Sequence, residues 1–231
     1  MLHPPRRRAC WHDLGMPAHE PFLDITRAAY ETVAEDYAVL LENELERKPW
    51  DRAILATFAE LVRAAGGGPV LDVGCGPGRI TAHLHMLGLD VEGMDLSPRM
   101  VNVARRAHPH VTFEVGSMTA LKESASSLAG LVAWYSIIHV PPERHVPLFR
   151  EFRRVLTPGG RLLLAFQVGD ERAHLQHAYG HPIELDAYRL PPPLVVNQLQ
   201  EAGLTVDATL VRDPDPSEKT PQAFLSASPT A

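Results

Sequence analysis

Glycines and carboxylates are the residues of this sequence whose spacing points most directly to chemistry. The segment VLDVGCGPGRIT (70–81) is a short apolar run that leads through three glycines into a helical pattern. Gly74, Gly76 and Gly78 let the backbone turn tightly and approach a ligand closely, and the helix N-terminal amides that follow can bind a polar group. Asp95, 21 residues after Gly74, ends the next apolar run, where a carboxylate can accept hydrogen bonds from both hydroxyls of a ribose. The loop and the acid together predict a site for a nucleoside-containing cofactor.

Two details of the loop distinguish between cofactors. A dinucleotide-binding loop has the pattern G-x-G-x-x-G, whereas here the third glycine comes one residue earlier and Arg79 takes its place. Asp72, in the strand just before the loop, would be unfavourable beside a pyrophosphate but is well placed for an ammonium group. A ligand with a ribose at one end and a cationic amino acid at the other is S-adenosylmethionine. The alternative enzyme, a nicotinamide-dependent oxidoreductase, is disfavoured by Arg79 and Asp72.

The loop belongs to a region in which strands and helices alternate. Five short apolar runs predict strands, at 70–73, 90–95, 111–115, 128–135 and 161–168. Helical patterns lie between most of them, so the order predicts right-handed βαβ units and a mainly parallel sheet. Near the C-terminus, residues 204–210 alternate between apolar and polar, and residues 222–227 would be their hairpin partner.

The remaining segments are a tail and two additions to the same domain. Residues 1–23 lack apolar periodicity and are predicted to be a flexible N-terminal tail, which leaves 24–231 as a single domain. Within it, residues 24–48 predict an amphipathic, lid-like helix. Residues 169–190 are polar, aromatic and irregular, and we expect them to form an insertion on the substrate side.

The composition excludes several classes of function. The 231 residues are 45% hydrophobic and 22% charged, which is ordinary for a globular chain and excludes a disordered or fibrous protein. A net charge of −6 disfavours a nucleic-acid partner, and the apolar runs are too short to span a membrane. Two cysteines cannot form a disulfide framework, which fits a reducing, cytoplasmic compartment.

Three segments together resemble the class I S-adenosylmethionine-dependent methyltransferases, especially their small bacterial single-domain members. They are VLDVGCGPGR (70–79), GMDLSPRMV (93–101) and RRVLTPGGRLLL (153–164). The similarity extends over about 30–229. It implies a Rossmann-like α/β fold with a doubly wound, seven-stranded sheet that is mostly parallel, has an antiparallel C-terminal hairpin strand and carries helices on both faces.

The resemblance also implies roles for individual residues around S-adenosylmethionine. Asp72 and Gly74 would hold its methionine end, Gly76 its sulfur side and Asp95 its ribose, with Leu96 and Met100 packed on the adenine. Cys75 and Arg79 in the loop, and Tyr135 after the fourth strand, complete the expected cofactor site.

One position departs from the family pattern. Where family members usually have an acid that accepts from the adenine amino group, this sequence has Ser117. We expect Ser117 or backbone groups to bind the adenine edge and Met118 to pack against the ring.

Few residues are needed for the chemistry itself, because the methyl group of this cofactor is already attached to a good leaving group. The protein has to align an acceptor, exclude water and, for some acceptors, remove a proton. His139, in WYSIIHVP (134–141), is the candidate general base, since the resemblance places the end of the fourth strand beside the reactive methyl group. The alternative is that His139 only caps the sheet edge or the following helix.

Two tyrosines lie on the predicted N-terminal helix. Tyr30 and Tyr37 share its apolar side, and in similar methyltransferases such a helix folds over the cofactor and excludes water. Plain core contacts are the alternative for each of them.

Three histidines, His174, His177 and His181, raise the question of a metal site. Gly180 and Pro182 interrupt the helix that would bring them together, and the cofactor chemistry needs no metal. We therefore predict no metal and expect this segment to line the substrate pocket.

The sequence thus predicts transfer of a methyl group from S-adenosylmethionine to an oxygen or nitrogen of a small-molecule metabolite, by a monomer or homodimer. A non-catalytic S-adenosylmethionine-binding protein is the rival from another class, supported by Ser117 and by the absence of a sharp catalytic motif. No residue pattern identifies the acceptor.

Overall fold

The structure, a computed structural model, describes residues 20–230 of the chain. In this part of the chain the helices are α1 (Pro21–Leu41), α2 (Pro49–Ala64), α3 (Arg79–Met86), α4 (Pro98–Ala107), α5 (His145–Val155) and α6 (Pro192–Glu201). The strands are β1 (Val70–Val73), β2 (Val91–Asp95), β3 (Thr112–Val115), β4 (Leu128–Trp134), β5 (Leu156–Gln167), β6 (Arg172–Ala178), β7 (His181–Tyr188), β8 (Leu204–Arg212) and β9 (Gln222–Pro229).

Seven of these strands form one sheet, in the order β3-β2-β1-β4-β5-β9-β8. Strands β1 to β5 run parallel, and β9 lies antiparallel between β5 and β8. The seven-stranded doubly wound sheet with an antiparallel C-terminal strand is therefore confirmed. The strand order reverses between β1 and β4, and in such sheets ligands bind at the carboxyl ends of the strands beside that reversal.

Both faces of the sheet are covered, as the apolar strand sequences require. Along β4, Leu131 and Ala133 point into a cluster with α5 and α6, whereas Val132 and Trp134 point into a second cluster with α2 and α3. All seven residues of β4 are buried. Because β4 is buried along its whole length, it fixes the start of the segment that follows it, which includes His139.

The segment 169–190 differs from its prediction, because it forms an ordered two-stranded hairpin of β6 and β7. Its strands are joined by Tyr179 and Gly180, which both have positive φ angles, as two-residue hairpin turns require. The alternation that would have indicated strands is hidden by polar residues on the outer face and by a bulge between Leu175 and His177.

Several boundaries also differ from their predictions. Helix α1 begins at Pro21, so residues 21–23 are helical, and residues 1–19 of the predicted tail lie outside the described residues. Strand β5 begins at Leu156, five residues before the predicted start at 161. None of the helices within residues 20–230 is long and apolar enough to cross a membrane.

Candidate active site

The glycine loop joins β1 to α3 and has no room for side chains at two of its glycines. At Gly74 the φ angle is +73°, and an added Cβ would lie 2.4 Å from the Cβ of Ser136. At Gly78 the φ angle is +86°, and an added Cβ would lie 2.7 Å from the ring of Phe113. Both backbone conformations favour glycine. Gly78 thus packs α3 against the sheet, a role that a dinucleotide loop gives to a glycine one residue later.

Asp95, at the carboxyl end of β2, holds the loop in place. Its Oδ2 accepts a hydrogen bond from the Gly76 amide and its Oδ1 one from the Ser97 amide, both at 2.8 Å. Burial raises the pKa of Asp95 to about 6, although these amide donors act in the opposite direction. Each oxygen retains a further lone pair, so the carboxylate can accept from ribose hydroxyls while it holds the loop.

Asp72 is completely buried beneath the loop. Its Oδ2 accepts a hydrogen bond from Thr81 Oγ1 at 2.7 Å, whereas no donor among residues 20–230 reaches its Oδ1. Burial raises the pKa of Asp72 to about 7. A buried carboxylate oxygen without a donor is destabilising, and a cationic group bound at the loop would offset this. This oxygen therefore fits a cofactor that carries an ammonium group.

A first cavity opens at the carboxyl ends of β1, β2 and β4, and it encloses about 720 Å³ of empty space, partly open to solvent. Many of the predicted site residues line it: Tyr30, Tyr37, Gly74, Gly76, Asp95, Leu96, Ser117, Met118, Tyr135 and His139. Ser117 Oγ lies 2.9 Å from Thr119 Oγ1, within hydrogen-bond distance. The structure thus brings residues from five separate parts of the chain to one cavity.

Four predicted residues do not line this first cavity. Met100 is fully buried and packs between α1 and α4, so it does not face the adenine position that we expected. Cys75 packs against α4 and β3. Arg79 lines a second cavity and forms an ion pair with Glu44 at 2.8 Å. Asp72 lies behind the loop, where it can act on a ligand only through its charge or a bridging group.

Helix α1 covers the first cavity. Its apolar face packs between α4 and β7. Glu31 Oε1 accepts hydrogen bonds from Ser97 Oγ at 2.6 Å and from the Arg99 amide at 2.9 Å. These contacts hold α1 over the N-terminus of α4, next to the carboxylate of Asp95.

His139 is buried and has a partner on each ring nitrogen. The carbonyl oxygen of Asp186 can only accept, so His139 Nδ1, 2.8 Å away, carries the proton in this bond. Burial lowers the pKa of His139, which favours the neutral ring. Its Nε2 then accepts from the Tyr30 hydroxyl at 2.8 Å. The basic nitrogen of His139 therefore faces α1.

Tyr135, directly after β4, has a φ angle of +54°, a conformation that is strained for a residue with a side chain. Its amide donates to the Ala165 carbonyl at 2.9 Å, which fixes this backbone to β5. Strain of this kind is common at functional sites. Tyr135 lines both the first and the second cavity.

The second cavity lies between α2, the β6–β7 hairpin and the loop 213–221, with about 1370 Å³ of empty space that includes open solvent. Two cross-strand pairs of the hairpin form its apolar side: Ala173 with Ala187, and Leu175 with Leu185. Four residues line both cavities: Tyr30, Tyr37, Tyr135 and His139. A ligand in the second cavity can therefore approach one in the first at this shared wall.

The three histidines of the hairpin do not come together. His174 pairs with Glu184 at 2.7 Å and with Asp186 at 2.9 Å, whereas His181 pairs with Asp36 at 2.6 Å. Within residues 20–230 no group of three or more His, Cys, Asp or Glu side chains is arranged to hold a metal ion.

Some residues of the first cavity were not named by the sequence analysis: Phe22, Thr26, Trp134 and Ser136. Ser136 Oγ donates to the Val73 carbonyl at 2.7 Å and so supports the loop from below. The sequence signal that could have identified Ser136 is its position between Tyr135 and His139, two predicted site residues. Phe22 was placed in the predicted tail, which concealed its role.

Comparison with known proteins agrees with this geometry. Residues 70–160 match the family described as methyltransferase domain. An uncharacterised methyltransferase of Mycobacterium tuberculosis is 32% identical over 142 residues, which are 59% of this chain and 57% of that protein. A ubiquinone biosynthesis O-methyltransferase of Xanthomonas oryzae is 35% identical over 104 residues, 43% of each chain. The chain thus spans between two fifths and three fifths of the length of these curated relatives.

Solved structures share the fold over most of the chain. Magnesium protoporphyrin IX methyltransferase from Synechocystis, with bound S-adenosylmethionine, aligns with a TM-score of 0.68 at 17% identity, over 93% of this chain and all of that one. A methyltransferase from Leishmania major aligns with a TM-score of 0.69 at 17% identity, over 90% and 82%. The fold of the described residues is that of S-adenosylmethionine-dependent methyltransferases, and the match of residues 70–160 to the methyltransferase domain family agrees with the resemblance drawn from the sequence.

Proposed function

We propose that this chain transfers a methyl group from S-adenosylmethionine to an oxygen or nitrogen of a small-molecule metabolite. The observation that supports this most directly is the wall of four residues shared by the two cavities, because it lets cofactor and acceptor meet under α1. The second cavity is partly enclosed by the hairpin and the loop 213–221, which suits a small acceptor. A cytoplasmic location and a monomeric or homodimeric state stay predictions.

The first cavity, together with residues behind its glycine loop, suits both ends of S-adenosylmethionine. Asp95 would accept from the ribose hydroxyls, and Gly74 and Gly76 would let the loop backbone approach the ligand closely. The buried charge of Asp72 and the guanidinium of Arg79, whose Nη1 receives no hydrogen-bond partner from the described residues, suit the ammonium and carboxylate of its methionine end. When bound, the cofactor supplies a methyl group on a sulfonium; the acceptor's lone pair forms the new bond to carbon, and the electrons of the broken carbon–sulfur bond remain on sulfur.

His139 is the residue that we assign to proton removal. Its Nε2 is unprotonated in the arrangement described above and is held by Asp186 in a fixed orientation. For a hydroxyl acceptor, Nε2 would take the proton either directly, after displacement of the Tyr30 hydroxyl, or through that hydroxyl. A His139→Gln variant with unchanged turnover would remove this role.

Two measurements test the proposal. Isothermal titration with S-adenosylhomocysteine tests the cofactor site, and absence of binding at millimolar ligand would end the proposal. Incubation with methyl-labelled S-adenosylmethionine and a metabolite extract tests the activity, with label in a product that is one methylene heavier than its precursor as the expected result. Binding without any labelled product would favour a non-catalytic S-adenosylmethionine-binding protein.

A further inference from the structure

The second cavity contains a buried carboxylate of its own. Asp51, in the first turn of α2, lines this cavity and is only 4% exposed. Its Oδ1 receives no hydrogen bond from any residue that the structure describes. Arg212 Nη2 lies 3.6 Å away, beyond normal hydrogen-bond distance. A buried carboxylate oxygen in this state is costly unless a ligand donates to it.

The cations near Asp51 are engaged elsewhere. Arg212 donates to Glu218 through both terminal nitrogens, at 2.5 and 2.7 Å. Lys48 is bound to Asp215 and to Glu218. The cluster therefore contains two cations, Arg212 and Lys48, and three carboxylates, those of Asp51, Asp215 and Glu218. Its net charge is −1 when all five groups are ionised. Burial raises the pKa of Asp51 to about 6, because Arg212 and Lys48 offset its desolvation only in part.

Basic side chains elsewhere on the cavity wall do not supply the missing partner. Arg79 is paired with Glu44 through Nη2, and its Nη1 is the atom assigned above to the cofactor carboxylate. Arg189 is paired with Glu171. Lys219 is exposed to solvent on the loop 213–221. A donor to this oxygen therefore has to come from water or from a ligand in the second cavity.

Aromatic rings surround the same cavity. The ring centroids of Tyr30 and Tyr37 are 5.7 Å apart and those of Tyr37 and Tyr179 are 5.1 Å apart, both in edge-to-face geometry. Tyr135 also lines the cavity. Aromatic faces attract cations, and the attraction is strongest where water is excluded. A carboxylate and several tyrosines are together the side chains that bind an ammonium group; an alcohol would satisfy only the hydrogen bond, and an acid would be repelled.

We propose that the methyl acceptor is an amine whose ammonium group binds Asp51 and the tyrosine rings of the second cavity. This inference rests on the proposed function, since it names the acceptor class of the same site. The ammonium group serves recognition, and the atom that is methylated is a different one that reaches the shared wall at Tyr30 and His139.

The test uses the full chain saturated with S-adenosylhomocysteine and three matched probes: benzylamine, benzyl alcohol and benzoate. Titration calorimetry measures each Kd for wild type, for Asp51→Asn and for Asp90→Asn. The Asp90→Asn control makes the same carboxylate-to-amide change at an exposed residue directly before β2. We expect benzylamine to bind at least about tenfold more tightly than benzyl alcohol, with benzoate weakest. Asp51→Asn should abolish this preference, and Asp90→Asn should retain it.

Each outcome decides a separate point. If S-adenosylhomocysteine binds wild type but the amine and the alcohol bind equally, the amine proposal is overturned and the methyltransferase proposal stands. If Asp51→Asn lowers Tm but keeps the amine preference, Asp51 only anchors the loop through Arg212, and the proposal is again overturned. The comparison of probes on wild type needs no variant, so it decides the question even if Asp51→Asn does not fold. Failure of S-adenosylhomocysteine to bind wild type would overturn both proposals.

Discussion

The polar groups of the first cavity come largely from the glycine loop and the strand ends beside it, whereas those of the second come from α2, the hairpin and the loop 213–221. In the first cavity, Asp95 and the amides of Gly76 and Ser97 are already bonded to one another. In the second, charged side chains that come together, such as Asp51 and Arg212, are separated by more than a hundred residues in the sequence. A site for a fixed cofactor can be local in sequence and preorganised. A site for a variable ligand can be assembled from peripheral segments that change without disturbing the sheet.

The largest effect is expected at the glycine loop. Gly74→Ala places a Cβ 2.4 Å from the Cβ of Ser136, so we expect S-adenosylhomocysteine binding to fall by about a hundredfold or more and Tm to drop. Gly67→Ala is the matched control, since its φ angle of +69° is close to that of Gly74 and no atom of the described residues lies within 4 Å of its added Cβ. Titration calorimetry and thermal melting measure both variants. Equal losses in the two would show that backbone strain, and not the close packing of the loop, accounts for the effect.

The second effect concerns the buried charge beneath that loop. The pKa of Asp72 is about 7 in the folded state against an ordinary value of 3.8, so the unfolded state loses its proton first as the pH rises. Stability from this group is present below about pH 4 and is lost between about pH 4 and 7. Asp72→Asn keeps an acceptor for Thr81 and removes the charge, so it should stabilise the ligand-free protein by about 1–4 kcal/mol at pH 7.5 and by less at pH 5.

Thermal melts of wild type and Asp72→Asn at the two pH values measure this difference, in which other titrating groups cancel. The same variant should bind S-adenosylhomocysteine more weakly, because the charge that suits its ammonium group is gone. A variant that is less stable than wild type at pH 7.5 would contradict the destabilising role of this carboxylate.

A third, smaller effect is expected where α1 lines both cavities. Tyr30→Phe removes the hydrogen bond to His139 Nε2, worth about 1 kcal/mol, so amide exchange along α1 should accelerate several-fold. Tyr37→Phe is the control on the same helix, since its hydroxyl makes no hydrogen bond to residues 20–230. Hydrogen-exchange mass spectrometry compares the two. If amide exchange along α1 is equally fast in both variants, the hydrogen bond between Tyr30 and His139 does not hold α1 in place.

The smallest effect sharpens the contrast between the cavities directly. Leu175→Ala shortens a half-buried side chain on the hairpin wall of the second cavity, away from the residues that line the first. We expect the Kd for S-adenosylhomocysteine to stay within about twofold of wild type, with a loss of stability of about 1 kcal/mol. A tenfold weaker Kd would break the comparison, because it would show that the hairpin is part of the cofactor site.

Several elements were predictable because their signals are short in sequence. Ser97 stands directly before Pro98 at the start of α4, and its hydroxyl accepts a hydrogen bond from the Met100 amide at 3.1 Å. The hairpin 172–188 was not predicted, since its period is broken by a bulge and its outer face is polar. Met100 was expected to face the cavity, but α1 covers α4 and turns that position into core. Such placements depend on which helix packs where, and no local pattern encodes this.

The sequence by itself determined the sheet, the glycine loop, the carboxylate at the end of β2 and the class of cofactor, because close backbone approach and apolar periodicity restrict residue choice within a few neighbouring positions. Only the tertiary structure decided that His139 Nε2 faces Tyr30, 109 residues away, and that Asp51 lies buried without a donor in the second cavity. Burial and partner geometry arise from contacts between distant segments. These contacts set the pKa of a side chain, its orientation and which of its polar atoms are left without a hydrogen-bond partner. The class of cofactor therefore follows from residues that are close together in the sequence, whereas the shape and charge of the second cavity follow from tertiary packing.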